Sequence, residues 1–300
     1  MVIARRASEI TLPPQNLGWS NLLEFLCWQF PRIERHIWQQ RFASGKVHWF
    51  AGDKVTADTP FLPSRRLCYF REVPNEPNIP FSHQLIYQDE QIMVVCKPHF
   101  LPVIPGGEYV NECLLERLRQ QYQAPDLVAV HRLDRETAGL VLFCKQPDSR
   151  AAYAALFASG QINKHYLAVA RLPADQSLTD GQQWQVQDRL EKSQPRFLMQ
   201  QVAGEVNARS GIRLLAQQAG LGLFQLTPFT GKTHQLRVHM LGLGFPLLHD
   251  KYYPRLLEKT PLDFSQPLQL LAQQLSFTDP VTGVLHQFCS DRQLCAWPAN

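Results

Sequence analysis

The rhythm of apolar positions along the chain changes near residue 73. Before that point, two stretches repeat their apolar residues at helical spacing. Asn21 can cap a helix that carries Leu22, Leu23, Phe25, Leu26 and Phe30, and Pro31 ends it. A second helix is expected over 32–42, with Arg32, Arg35 and Arg41 as its basic residues. Gly45 then precedes KVHWF, and RRLCYF closes the stretch; both read as strands. VPNEPNIP, residues 73–80, follows with three prolines in eight positions, which blocks regular structure. The pattern therefore predicts a small α/β N-terminal module with its linker over 1–76 and a larger unit over 77–300.

In the larger unit, IMVVCK (92–97) reads as a buried strand broken by Pro98. NECLLERLRQQY (111–122) reads as a helix with Leu114, Leu115 and Leu118 on one face. AVHRLDRETAGLVLF (129–143) puts two apolar runs around a charged turn. DSRAAYAALFASG (148–160) reads as a helix with Asp148 at the N-cap and Gly160 just past the end. KHYLAVAR, QWQVQDRL, RFLMQQVA and GLFQLTPF follow as successive strands. KTHQLRVHMLGLG (232–244) is the last clear helix, with more strand from Leu268 onward. Runs of strands with few helices predict an α+β fold with a mixed, largely antiparallel central sheet and flanking helices.

Composition narrows the function classes. The 300 residues are 45% hydrophobic, enough for a sizeable core. A net charge of +4 and a pI near 8.7 are compatible with a nucleic-acid partner without requiring one. The seven cysteines contain no C-x-x-C pair, so neither a zinc site nor a disulfide framework is indicated. MVIARRASEITLPPQ lacks an apolar stretch of signal-peptide length, and no run of about 18 apolar residues occurs. The expectation is a cytoplasmic monomer with no membrane segment and no obligatory protein partner.

The charged turn holds His131, Arg132, Asp134, Arg135 and Glu136 within six positions. Arg132 and Asp134 alternate about Leu133, which would place them on one face of an extended segment. Thr137-Ala138-Gly139 makes a small, tight exit of the kind needed where a substrate approaches the backbone. Neighbouring arginines favour the carboxylate form of the acid, ready to act as nucleophile or base. A solvated hairpin would carry similar charges, so the pattern alone leaves both readings open. In TGKTHQLRVHM (230–240), Leu236 and Met240 share a core face with Leu243, while His234, Arg237 and Leu241 share another. That describes an amphipathic helix with a polar outer face, and Gly231 and Lys232 at its start also permit phosphate binding. A metal site from His131, His234, His239 and Asp250 is disfavoured, because no pair has a known ligand spacing.

HRLDRETAGLVLF closely resembles the H-R-L-D-x-x-T-S-G-L signature of the RluA family of RNA pseudouridine synthases. CKPHFLPV, KHYLAV, GKTHQLRVHM and PLLHDKYY resemble further elements of that family, in its order, across about residues 85–290. The N-terminal module more faintly resembles the alpha-L type RNA-binding domain. The resemblance implies the pseudouridine synthase fold and an RNA substrate, ribosomal or transfer RNA, with ribosomal RNA slightly favoured by the N-terminal module. It implies Asp134 as the catalytic aspartate, Arg237 as the arginine paired with it, and Tyr166 as the tyrosine packed on the target base. It implies Arg132 as the side chain that enters the RNA stack where the base has left. His131, Thr137, Lys164, Lys232, His234, Gln235 and Leu236 lie in the matched elements and are the remaining candidate substrate contacts. Departures occur at Phe100 and His249, where glycine is usual, at Ala138 for serine, and at Lys232 for arginine.

Converting uridine to pseudouridine breaks the base–ribose bond through nitrogen and rejoins it through carbon. Nothing is oxidised or hydrolysed, so no cofactor or metal is demanded. The carboxylate can attack the anomeric carbon or take a neighbouring proton; the residues do not choose between these. Two rivals remain: a non-catalytic RNA-binding or RNA-folding protein on the same scaffold, and a hydrolase using Asp134 with His234. A retaining glycosidase would need a second positioned carboxylate, and none accompanies the second cluster.

Overall fold

The computed structural model describes residues 1–258 and 263–297. They form two compact units: residues 1–77 with 106–111, and residues 78–105 with 112 onward. In the first, strands β1 (Val2–Ile3) and β2 (Ser8–Thr11) precede helices α1 (Leu22–Gln29) and α2 (Arg35–Ala43). Strands β3 (Val47–Trp49), β4 (Arg66–Tyr69) and β5 (Glu72–Val73) follow, and β2, β4 and β3 make one antiparallel sheet. The Asn21 side chain accepts from the Glu24 N–H at 2.9 Å, so the predicted cap starts α1. The second helix starts at Arg35 instead of Arg32, because the chain first turns, with the Ile33 N–H on the Phe30 carbonyl at 2.9 Å. Leu22, Phe25, Leu26, Trp38 and Leu67 are buried together as the core of this unit.

The second unit contains β6 (Gln84–Gln88), β7 (Ile92–Lys97), α3 (Leu114–Gln121), β8 (Val128–Ala129) and β9 (Ala138–Cys144). Helix α4 (Arg150–Ala158) leads to β10 (Asn163–Arg171), β11 (Gln183–Lys192), β12 (Met199–Val202), β13 (Ala208–Gln218) and β14 (Leu221–Pro228). Helix α5 (Gln235–Gly242), β15 (Leu270–Thr278) and β16 (Leu285–Cys289) complete it. The sheet runs β12-β11-β13-β14-β10-β15-β9-β7-β6, with β16 on β15 and β8 on β9. Its pairings are antiparallel except for β15 with β9, which run parallel. The α+β, largely antiparallel expectation holds.

Three local expectations need correction. Strand β13 was not expected, although its exposed Arg209 and Arg213 alternate with buried Ser210, Ile212 and Leu214. Asp148 does not cap α4; it lies in a 3-10 turn over 147–149, and the N-cap is Ser149. The small exit at 137–139 is required by a neighbouring strand at Gly139. Gly139 has φ +117°, and a Cβ there would lie 2.2 Å from the Ala272 carbonyl oxygen. Only glycine permits this approach of β15 to β9.

Candidate functional site

The charged elbow between β8 and β9 is fastened through its backbone. Lys97, wholly buried at the end of β7, donates to the carbonyls of Pro98 at 2.9 Å, Leu101 at 2.7 Å and Arg135 at 3.0 Å. Burial lowers its pKa to about 7, with Glu136 and Asp134 opposing. Three acceptors need three N–H groups, so the bonded state is the ammonium. The Thr137 N–H donates to the Asp134 carbonyl at 3.2 Å. His99 Nδ1 meets the Glu136 carbonyl at 2.6 Å, and burial pulls this imidazole down to about 4. The Arg135 Nε–H holds the Glu136 carboxylate at 2.8 Å. Successive carbonyls at 134, 135 and 136 thus have fixed partners, whereas the Arg132 side chain is exposed.

The second cluster folds differently from its amphipathic pattern. Helix α5 begins at Gln235, and His234, at its N-cap, has φ +53°. The Gln235 amide oxygen accepts from Thr230 Oγ1 at 2.7 Å and the Lys232 N–H at 3.0 Å. Its nitrogen donates to the Arg209 carbonyl and Ser210 Oγ, both at 2.9 Å. Gln235, Arg237 and His239 are as buried as Leu236, Val238 and Met240. The expected polar outer face does not exist, because these side chains find polar partners inside.

Arg237 is the hub. Its Nε and Nη2 donate to Asp250 Oδ2 at 2.8 Å and Oδ1 at 2.5 Å, a bidentate pair. Asp250 also accepts the Tyr252 N–H at 2.8 Å and the Tyr253 N–H at 3.2 Å. The guanidinium lies 4.6 Å from the Tyr252 ring centre and 5.3 Å from that of Tyr253. Its Nη1 donates to Asp134 Oδ2 at 3.3 Å. Burial opposes the arginine's charge, but Asp250 and Asp134 outweigh it and raise its pKa. The Asp134 side chain keeps 26% of its surface exposed, against 1% for Arg237 and 1% for Asp250. One buried cation therefore serves two acids, of which only Asp134 is reachable.

His234 Nε2 lies 3.9 Å from Asp134 Oδ2. Burial lowers the His234 pKa, and Arg237 adds to this while Asp134 opposes, so the contact is not an ion pair at neutral pH. Tyr166, on β10, packs against the apolar cluster of Leu236. Burial and then Asp134 raise its pKa, keeping the phenol protonated. The structure thus brings Asp134, Arg237 and His234 together, with Tyr166 and Leu236 in one cluster beside Asp134's field. His131 and Lys164 form another group. His131 Nε2 accepts the Leu142 N–H at 3.1 Å, and its ring stacks on Phe157 at 4.5 Å. Burial, then Lys164, lower His131 to about 3. The Lys164 ammonium lies 5.6 Å from the Phe157 ring centre. Thr137 is buried, Lys232 is exposed, and Gln235 has its four amide bonds satisfied within the fold, leaving none for a substrate. Asp250 was considered only as a disfavoured metal ligand and missed as the partner of Arg237; its signal was the acid in PLLHDKYY. No group of three or more His, Cys, Asp or Glu residues that could hold a metal occurs among the described residues.

The model of the RNA pseudouridylate synthase family matches residues 91–241, which include Asp134, Tyr166 and Arg237. The dual-specificity RNA pseudouridine synthase RluA of Salmonella typhimurium is 34% identical over 213 residues, covering 70% of this chain and 92% of that one. The chain belongs to the RNA pseudouridylate synthase family. It is of the RluA type, and as a pseudouridine synthase it is an isomerase that converts uridine to pseudouridine in RNA. The ribosomal large subunit pseudouridine synthase D of Zymomonas mobilis is 29% identical over 303 residues, covering 92% of this chain and 90% of that one. The structure of human RNA pseudouridylate synthase domain containing 1 has the same fold, with a TM-score of 0.57 and 21% identity over 73% of this chain and 86% of that one.

Two departures from the family's glycines can now be placed. Phe100 has φ +66° and His249 has φ +62°, so both hold a left-handed backbone that glycine adopts freely. Phe100 is packed between Phe81 and Phe264, at 6.0 and 5.1 Å between ring centres, and His249 Nδ1 lies 3.2 Å from the Pro267 carbonyl. Contacts specific to these side chains offset the backbone strain. No helix among the described residues is long and apolar enough to cross a membrane.

Proposed function

We propose that this pseudouridine synthase acts on ribosomal RNA, with Asp134 as the reacting acid. The observation that carries this reading is the asymmetric array of Asp250, Arg237 and Asp134. Arg237 is fixed by Asp250 and offers its remaining N–H to the one reachable carboxylate. Asp134 then attacks the anomeric carbon or takes a neighbouring proton, and the detached base turns and rejoins through carbon. Tyr166, protonated and set among apolar side chains, is suited to hold that base away from water. The exposed guanidinium of Arg132 can stack in the gap left by the flipped nucleotide, which otherwise costs a few kcal/mol of unstacking.

The ribosomal preference rests on the relative that spans 92% of this chain, whose name specifies the large ribosomal subunit. The unit of residues 1–76 is proposed as an RNA-binding module and supports the same preference. Arg32, Arg35, Lys54 and Arg65 are exposed there, and Trp28 and Phe50 present aromatic surface, with the Arg66 guanidinium 3.5 Å from the Phe50 ring centre. Mapping pseudouridines in total RNA with and without the protein tests the assignment. Loss of a ribosomal site is expected; loss confined to transfer RNA overturns the preference, and no loss overturns the catalytic reading. Replacing Arg32, Arg35 and Arg65 by alanine should also flatten log affinity against log salt, by roughly 0.7–0.9 for each lost phosphate contact. An unchanged slope excludes these side chains from RNA contact.

A further inference from the structure

His234 is held in an unusual way for a side chain beside a reactive acid. It stands at the first turn of α5 with a left-handed backbone, which aims its ring between Asp134 and Tyr253. The Tyr253 hydroxyl oxygen accepts the Met199 backbone N–H at 2.8 Å. Its other hydrogen-bond partner among the described residues is His234 Nδ1, at 2.9 Å. A backbone N–H can only donate, so the phenolic proton is left for the imidazole. Tyr253 is 8% exposed, and a buried hydroxyl proton without an acceptor would be costly. His234 Nδ1 is therefore the acceptor, and a neutral ring must carry its proton on Nε2. That nitrogen faces Asp134 Oδ2, 3.9 Å away.

Arg237 bonds the same oxygen, Oδ2. Asp134 Oδ1 has no hydrogen-bond partner among the described residues. The two oxygens of the acid are thus distinguished by their surroundings. We propose that His234 is a positioning residue: locked by Tyr253 with its proton on Nε2, it closes onto Asp134 Oδ2 when RNA binds and leaves Oδ1 as the reacting oxygen. The inference rests on the reading of Asp134 as the reacting acid. A contact that is long without substrate and tightens with it is common at reacting groups. The groups facing the ring are Asp134, Arg237, Asp250, Glu136 and the rings of Tyr252 and Tyr253. Protonating Nδ1 would put two donors on the Tyr253 oxygen and strand its own proton, so the ring stays neutral as burial also requires.

Two measurements on the full chain test this. Nitrogen-15 NMR of the wild-type histidine rings, with His234 assigned through bonds, should show a proton on Nε2 and an acceptor at Nδ1. A proton on Nδ1 overturns the proposal whatever the activity. In steady-state tritium release from uracil-labelled RNA, His234→Gln keeps an N–H near the Nε2 position and His234→Leu does not. The Leu variant should lose roughly 10- to 100-fold in kcat with KM little changed, and the Gln variant distinctly less. Equal losses, or a change in KM alone, overturn the positioning role. The underlying reading is separated by Asp134→Asn: if that variant turns over, the reading of Asp134 fails, whereas an inactive Asn variant beside equal Gln and Leu losses leaves it standing and removes only His234.

Discussion

Each unit of this protein buries an arginine against a carboxylate, and the two arrangements differ in what they leave over. In the first unit, Arg41 Nε bonds Glu72 Oε2 at 3.1 Å, and Lys46 bonds the other oxygen of the same acid. Both oxygens of the acid are taken, and burial acting to raise the Glu72 pKa is outweighed by Lys46 and Arg41, which hold it below 4.5. In the second unit, one arginine meets two acids. Asp250 takes two guanidinium nitrogens, and Asp134 takes the third through a single oxygen. The first cluster has two cations on one anion and no unpaired carboxylate oxygen. The second has two anions on one cation and, among the described residues, leaves Asp134 Oδ1 open. On the reading proposed for Asp134, a buried ion pair is a structural element in one place and the support of the reacting acid in the other, and stoichiometry tells them apart.

The largest expected effect comes from removing the hub. Arg237→Met strands two carboxylates, and should destabilise the fold by about 3–5 kcal/mol in urea and abolish tritium release. Arg41→Met leaves Glu72 paired with Lys46, so it should cost less stability, and turnover on a short stem-loop should persist in the folded fraction. If both variants lose turnover equally, the proposed difference between the clusters is wrong. Asp250→Asn comes next: it keeps the shape but weakens the hold on Arg237, and kcat should fall roughly 10- to 100-fold through misplacement of Asp134. An unaffected kcat would mean that Asp250 does not orient the arginine.

The smallest effect is a difference in acid response. His131 and His99 have folded pKa values near 3 and 4, below the usual 6.5. The unfolded chain therefore takes up protons first, and stability of the second unit falls as pH drops from 6.5 toward 4. Glu72 has a depressed carboxyl pKa, so its contribution to the first unit is present above 4.5 and lost as pH falls below that value. Hydrogen exchange corrected for chemical rate should show the second unit losing protection at higher pH. Loss of protection in the first unit before the second would contradict this order.

The sequence showed much of what neighbours in the chain carry, though it put the α4 cap at Asp148, one position before Ser149. The Asn21 cap, the buried run of β7 and the antiparallel class all follow from local pattern. Strand β13 was missed because Ser210 and Gly211 interrupt its apolar alternation. The polarity of α5 was misread because periodicity shows that Gln235, Arg237 and His239 are polar and not that Ser210, Asp250 and Asp134 await them inside. Asp134 and Arg237, 103 positions apart, were joined only by resemblance to a family. Lys97 read as the end of a strand; its acceptors Pro98 and Leu101 follow it closely, but the third, the Arg135 carbonyl on the elbow, lies 38 positions away and only the fold brings it there.

The central claim is that Asp134 performs the isomerisation on a scaffold that holds RNA without it. Asp134→Asn keeps the side chain's shape and removes its negative charge. Tritium release from uracil-labelled ribosomal RNA, run beside a binding titration at fixed salt, measures both halves at once. The account predicts no detectable release and an RNA affinity close to that of the wild type. Appreciable turnover by the Asn variant would contradict it.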